Sequence, residues 1–348
     1  MMKFIFRRFL LVYVAFALLV SPAELLAAHK KVSKRAISSK HLIASRHQVG
    51  KIRAQRVSVK LRTSHALQAQ REYATAVRFD GSGLLQLASS KALIINQNTG
   101  EVLFAKNTNL STPIASITKL MTAMVMLDAK LPQDEIISIS GEDIDYLKRT
   151  GSRLMVGTQM SRGEFLQLAL MSSENRAAST LASNYPGGKP VFVQAMNAKA
   201  LQLGMGNTHF VDPTGLNSEN VSTAEDLAKM VQAAYQYPQI RAATTTAEHE
   251  VYLGSRTYPV MFRNTNGLVR EGEWEIGLSK TGFINEAGRC LVMQATIAGE
   301  PMIVVLLDSN GKLTRIGDAN RIRKWMEFNS EQKATTTGQA LVMSGTIS

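Results

Sequence analysis

The sequence contains a single cysteine, Cys290, so no disulfide can form within the chain. Aromatic residues make up only 6%. Beyond the first 28 residues no apolar stretch approaches the roughly 20 residues that a bilayer-spanning helix needs. Acidic residues are absent from 29–71, a stretch that holds twelve Lys or Arg. These gaps exclude a disulfide-framed scaffold and a membrane protein of several spanning helices. They also locate the formal charge of +13, because residues 72–348 carry 25 basic and 26 acidic side chains. The excess belongs to an arm, not to the folded body.

What is present begins with export. Lys3, Arg7 and Arg8 precede an unbroken apolar run at residues 9–20, and small residues Ala27 and Ala28 close the segment. This is the layout of a secretory signal peptide, with cleavage expected after Ala27 or Ala28. The rival is an uncleaved anchor, for which the run is short. Residues 29–83 read as a basic tether. Its segment 29–71 is rich in Ser, Lys, Arg and His, lacks aromatics, and cannot bury enough apolar surface to fold. Such an arm can bind anionic lipid, acidic wall polymers or nucleic acid, or serve as a plain spacer; export makes nucleic acid the poorest partner.

At 45% hydrophobic residues and a mean hydropathy of −0.04, the chain taken whole has an ordinary globular composition. Strand-like runs at 92–95 and 102–104 flank a turn, Asn96-Gln-Asn-Thr-Gly100. Helices are expected at about 115–129, 162–173 (Ser161 as N-cap, Glu164 three residues on), 191–203 and 224–235. A polar or helical continuation reaches residue 183. Strands return at 280–283, 290–298 and 302–308, and a last helix spans 315–326. The order predicts an α/β (α+β) fold: an antiparallel sheet completed by both chain ends, flanked by helices, with an inserted helical subdomain. Residues 329–348 read as a disordered tail, leaving 84–328 as the folded domain. Cys290, followed by Leu291, Val292 and Met293, reads as a buried strand position with no activating partner.

The sharpest chemical signal is Ser116-Ile-Thr-Lys119. At helical spacing the Lys amine reaches the Ser hydroxyl, which needs a base to become a nucleophile. Ser309-Lys312 and Ser330-Lys333 share the spacing but lie in a turn and a polar tail. Lys119 is the only charged residue between Lys106 and Asp128 and stands in a helix apolar nearly all round. Burial and the nearby helix N-terminus both lower its pKa. The Ser116 backbone N–H, close to the helix start, is free for an oxyanion. Lys280-Thr-Gly282 is a second signal: on a strand Lys280 and Gly282 share a face, and Gly282 lets a substrate backbone approach. The third, Ser173-Glu-Asn175, has a double in Ser218-Glu-Asn220, and local chemistry does not choose between them.

In this order the three motifs resemble the active-site set of penicillin-binding proteins and serine β-lactamases. Longer stretches, Pro113-Ile-Ala-Ser-Ile-Thr-Lys-Leu-Met-Thr-Ala-Met, Met171-Ser-Ser-Glu-Asn-Arg-Ala-Ala, Asp212-Pro-Thr-Gly-Leu and Lys280-Thr-Gly-Phe, are similar to low-molecular-mass penicillin-binding proteins of the D-alanyl-D-alanine endopeptidase type. The resemblance covers about residues 84–327. It implies Ser116 as nucleophile, Lys119 as its base and Ser173 as proton relay to the leaving amine. Asn175, Lys280, Thr281 and Gly282 would bind substrate, and the N–H groups of Ser116 and Phe283 would form the oxyanion hole. It selects Ser173 over Ser218. It further implies peptidoglycan peptide stems as substrate, β-lactams as covalent inhibitors, no metal or cofactor, and a periplasmic setting. Little chain follows the last helix, which leaves no room for the C-terminal β-domain and anchor of carboxypeptidase relatives and implies a soluble or loosely attached enzyme. A D-Ala-D-Ala carboxypeptidase, a β-lactamase and an inactive wall-binding protein are the alternatives.

Overall fold

A computed structural model describes residues 84–254 and 257–344, with side chains described as far as residue 332. The expected signal peptide, the basic tether and residues 345–348 lie outside the described residues.

The chain opens with a hairpin, β1 (Lys91–Asn96) and β2 (Val102–Lys106), and the short strand β3 (Thr112–Pro113). A 3-10 turn, Ala115–Thr118, runs directly into α1 (Lys119–Asp128). The small pair β4 (Ile136–Ser138) and β5 (Gln159–Ser161) then leads into α2 (Arg162–Met171), α3 (Asn175–Ser183) and α4 (Gly188–Gln202). After β6 (Val221–Ser222) come α5 (Ala224–Ala234), α6 (Pro238–Thr245), the hairpin β7 (Glu248–Val251) and β8 (Val260–Arg263), and α7 (Gly267–Glu271). The chain closes with β9 (Glu275–Ile284), β10 (Gly288–Ile297), β11 (Glu300–Ser309) and α8 (Thr314–Ser344).

The main sheet is antiparallel in the order β2-β1-β11-β10-β9, so the first and last strands of the body lie together and β9 forms an edge. Alternation along β10 and β11 divides the core. Cys290, Val292, Val305 and Leu307 face the large cluster under the helices. Leu291, Met293, Val304 and Leu306 face a smaller cluster closed by Ala319 and Ile322 of α8. Period-two geometry requires this split, and a sheet covered on both faces reads as a continuous apolar run. Helix α1 sits at the centre of the large cluster, with every residue from Lys119 to Met126 buried.

Capping explains two helix starts. Ser161 Oγ accepts from the Glu164 N–H at 3.1 Å, and Thr223 Oγ1 accepts from that of Asp226 at 3.1 Å. Each cap contributes about 1 kcal/mol. The expected 162–173 helix and its continuation are two helices, separated by a break at Ser172–Glu174 where Ser173 takes φ 62°. Helix α6 and the β7–β8 hairpin were not legible in the sequence. The last helix does not end near residue 326: it continues to Ser344, so the tail expected to be disordered from 329 is helical over most of its length. Among the described residues no helix is long and apolar enough to cross a membrane.

Candidate active site

The site forms where the start of α1, the α2–α3 break and the edge strand β9 meet. Ser116 lies in the 3-10 turn and Lys119 follows three residues later. In 3-10 geometry positions i and i+3 eclipse, which sets the lysine directly over the serine. The Lys119 Nζ–Ser116 Oγ distance is 2.8 Å. Ala115, just before Ser116, is buried in the left-handed region at φ 48°. Strain of this kind costs about 1–3 kcal/mol and persists only where the surroundings enforce it.

Two glycines do so. A Cβ on Gly215 would fall 1.9 Å from the Ala115 carbonyl oxygen, and one on Gly282 would fall 2.9 Å from the Ile114 oxygen and 3.1 Å from Ser116 N. Backbone therefore presses on the 114–116 turn at two points, as only glycine allows. The loop bearing Gly215 is itself pinned. Asp212 Oδ1 accepts from the N–H groups of Thr214 and Gly215, and Asp212 Oδ2 accepts from that of Asn217.

Ser173 projects from its left-handed turn and its hydroxyl accepts from Lys280 Nζ at 2.9 Å. Lys280 also donates to the Thr281 carbonyl, and Thr281 Oγ1 donates to Thr265 Oγ1 at 2.7 Å. Asn175, first residue of α3, accepts from Lys119 Nζ at 2.7 Å through Oδ1. Phe283 is half-exposed at the mouth, with the Arg289 guanidinium 4.4 Å above its ring.

Electrostatics favour a neutral base. Burial pulls the Lys119 amine down from 10.5 to about 7, with Asp212 and Glu174 opposing in part. Burial first, then the charges of Lys119 and Arg315, push Lys280 well below the usual lysine value. Among the described residues no carboxylate is in ion-pair contact with either lysine. Lys119 Nζ has three neighbours: Ser116 Oγ, Asn175 Oδ1 and the Thr214 carbonyl, at 2.7 to 2.8 Å. The last two can only accept. A neutral amine has two hydrogens, which they occupy, so its lone pair faces the Ser116 hydroxyl. The site can thus remove a proton from a serine.

The structure brings Ser116, Lys119, Ser173, Asn175, Lys280, Thr281 and Gly282 together. The hydrogen bond of Ser173 runs to Lys280 in place of Ser116 or Lys119. Asn220, in the second Ser-Glu-Asn tripeptide, is a buried structural lock: its side chain bonds Val211 N, Asp212 N, Asp212 O and Thr118 Oγ1. Sequence reading missed the Thr214 carbonyl and Arg315, whose Nη1 donates to the carbonyls of Gly282 and Cys290 at 3.1 and 3.3 Å. Burial and Arg289 lower Arg315 to about 10. The Asp212-Pro-Thr-Gly stretch marked the loop of the first without showing that its carbonyl reaches Lys119; nothing local marked the second.

Comparison with known proteins agrees with this geometry. Residues 75–311 match the family model for D-alanyl-D-alanine carboxypeptidase, peptidase family S11. A D-alanyl-D-alanine endopeptidase of Pseudomonas aeruginosa is 54% identical over 242 residues, covering 70% of this chain and 78% of that protein. One from Escherichia coli is 50% identical with the same coverage. The crystal structure of the Streptomyces K15 DD-transpeptidase superposes with a TM-score of 0.64 at 29% identity, covering 69% of this chain and 97% of that one. The chain belongs to the S11 family of serine D-alanyl-D-alanine peptidases.

Proposed function

We propose that the protein hydrolyses D-alanyl cross-links between peptidoglycan stems, as a periplasmic DD-endopeptidase acting through a Ser116 acyl-enzyme. The observation that carries this reading is the 2.8 Å contact of the buried Lys119 Nζ with Ser116 Oγ, while its other two neighbours, Asn175 Oδ1 and the Thr214 carbonyl, can only accept. Ser116 Oγ adds to the carbonyl carbon of a D-Ala residue while its proton passes to Lys119. The oxyanion is received by the N–H groups of Ser116 and Phe283, beside a strand edge kept open by Gly282. Collapse breaks the C–N bond, and the leaving amine takes up the proton that Lys119 accepted, relayed through Ser173, which Lys280 holds in place, so that Lys119 is neutral again. Water, giving one proton to Lys119, then adds to the ester; collapse breaks the C–Oγ bond, Ser116 Oγ takes that proton back from Lys119, and the new acid leaves as its carboxylate.

Lys280 serves the substrate electrostatically: an arriving carboxylate offsets the burial that otherwise disfavours its charge. Thr281 and Asn175 orient the peptide beside it. β-Lactams, as acylating amides, would stop at the first stage. The basic arm is assigned to an anionic wall or membrane surface. The endopeptidase relatives favour cross-links as substrate, while a carboxypeptidase of Bacillus subtilis at 31% identity keeps that activity as the second reading. Digestion of purified muropeptides separates them. Cleavage of cross-linked dimer, absent in Ser116→Ala, supports the endopeptidase; trimming of free pentapeptide with dimer untouched replaces it with the carboxypeptidase.

A further inference from the structure

The loop that follows the Gly141–Asp143 turn reaches the candidate base through two side chains. Asp145 Oδ1 accepts from the N–H groups of Leu147 and Lys148, both at 2.9 Å. Its Oδ2 accepts from the Thr150 N–H at 2.8 Å and the Thr150 hydroxyl at 2.7 Å. Burial pushes the Asp145 carboxyl up, but hydrogen bonds from Lys148, Thr150 and Leu147 outweigh it and hold the group below its ordinary value. It is therefore ionised at neutral pH and can only accept.

A threonine hydroxyl has one hydrogen, and here the carboxylate takes it. Toward its other neighbour, Asn175, the Thr150 oxygen can only accept. Asn175 Nδ2 donates to it at 3.0 Å. That contact orients the amide, with nitrogen on Thr150 and oxygen on Lys119 at 2.7 Å. Were the amide reversed, Nδ2 would face the amine and compete with Ser116 for its lone pair.

We propose that Asp145 and Thr150 are positioning residues, which fix the amide of Asn175 and thereby keep the Lys119 lone pair on Ser116. This deepens the functional reading above and rests on it. Neither residue touches the reacting atoms. The charged groups facing Lys119 are Glu174 from the α2–α3 break, Asp212 from the loop before β6 and Lys280 from β9, with Arg315 beyond it.

The test is the pH dependence of Ser116 acylation by labelled penicillin in wild type, Thr150→Val and Thr150→Ser, with melting temperature as a check of folding. Valine removes the acceptor and frees the amide to turn. The ammonium then loses an acceptor and the neutral amine gains a competing donor. The rising limb should shift to lower pH while the plateau falls roughly tenfold, as expected for one misdirected hydrogen bond near a charge. Serine, keeping the hydroxyl, should retain the wild-type limb and a plateau close to it.

An unchanged plateau and limb in Thr150→Val overturns the proposal. So does a limb that rises toward 10.5, the sign of a loosened, hydrated site, or a serine variant as impaired as valine. If wild-type protein is not acylated at Ser116, the functional reading itself fails, which is a separate result.

Discussion

Gly215 and Ala115 meet so closely that the space for a Cβ on the glycine is taken by the alanine carbonyl oxygen, 1.9 Å away. Gly215 also sits at φ 81°, where a side chain is strained whatever the space. The contact holds Ala115 in its left-handed turn and aims Ser116. Gly215→Ala should cost about 2–4 kcal/mol, combining the conformational penalty with a backbone clash. A thermal melt should show a drop of roughly 5–15 °C for a domain of this size. Acylation of the folded fraction should also be slower; a normal rate would detach this contact from the nucleophile turn.

In the proposed mechanism Lys119 must be neutral to act as the base. With Lys119 near 7, the active fraction rises with pH through that value and falls about tenfold per unit well below it. Acylation by labelled penicillin at pH 5 to 8 should trace this limb. The same group affects stability. Unfolded Lys119 titrates near 10.5, so between about 7 and 10.5 the unfolded chain binds a proton that the folded chain lacks. Its contribution to folding stability therefore rises with pH across that window.

The two Ser-Glu-Asn tripeptides should separate function from folding. Asn220 is fully buried with four hydrogen bonds, so Asn220→Ala should destabilise by roughly 3 kcal/mol or more. Asn175→Ala should melt closer to wild type while losing about a hundredfold in acylation, because it removes an orienting group at the base. Parallel melts and acylation rates of the two variants check the contrast.

Cys290 lies within the sheet, fully buried, and burial raises its thiol to about 11. It should ignore thiol reagents in the native protein and react only on unfolding. Stoichiometric labelling of native protein at neutral pH would contradict this placement.

Legibility in the sequence followed the range of the contacts. Ser116 and Lys119 belong to one helical turn, and Lys280 to Gly282 to one strand, so their spacing already carried their geometry. The apolar runs at 290–298 and 302–308 likewise announced strands, which the structure places in β10 and β11. Thr214 was hidden because it acts through a backbone carbonyl, 95 residues from Lys119 in the chain. Arg315 acts on backbone carbonyls of β9 and β10 from the start of α8, a contact no local pattern encodes. The β7–β8 hairpin escaped because short strands with charged, exposed positions lack a clear period. The helical tail was missed because its polar, Thr-rich composition argued for disorder.

The ionisation of Lys119 is the step on which the chemistry depends. It is measured most directly by NMR titration of 13C-ε-labelled lysine in Ser116→Ala, with Lys119→Arg to assign the signal. A Lys119 resonance titrating near pH 7 is the predicted result. A Lys119 that stays an ammonium up to about pH 10, like an exposed lysine, would contradict the account.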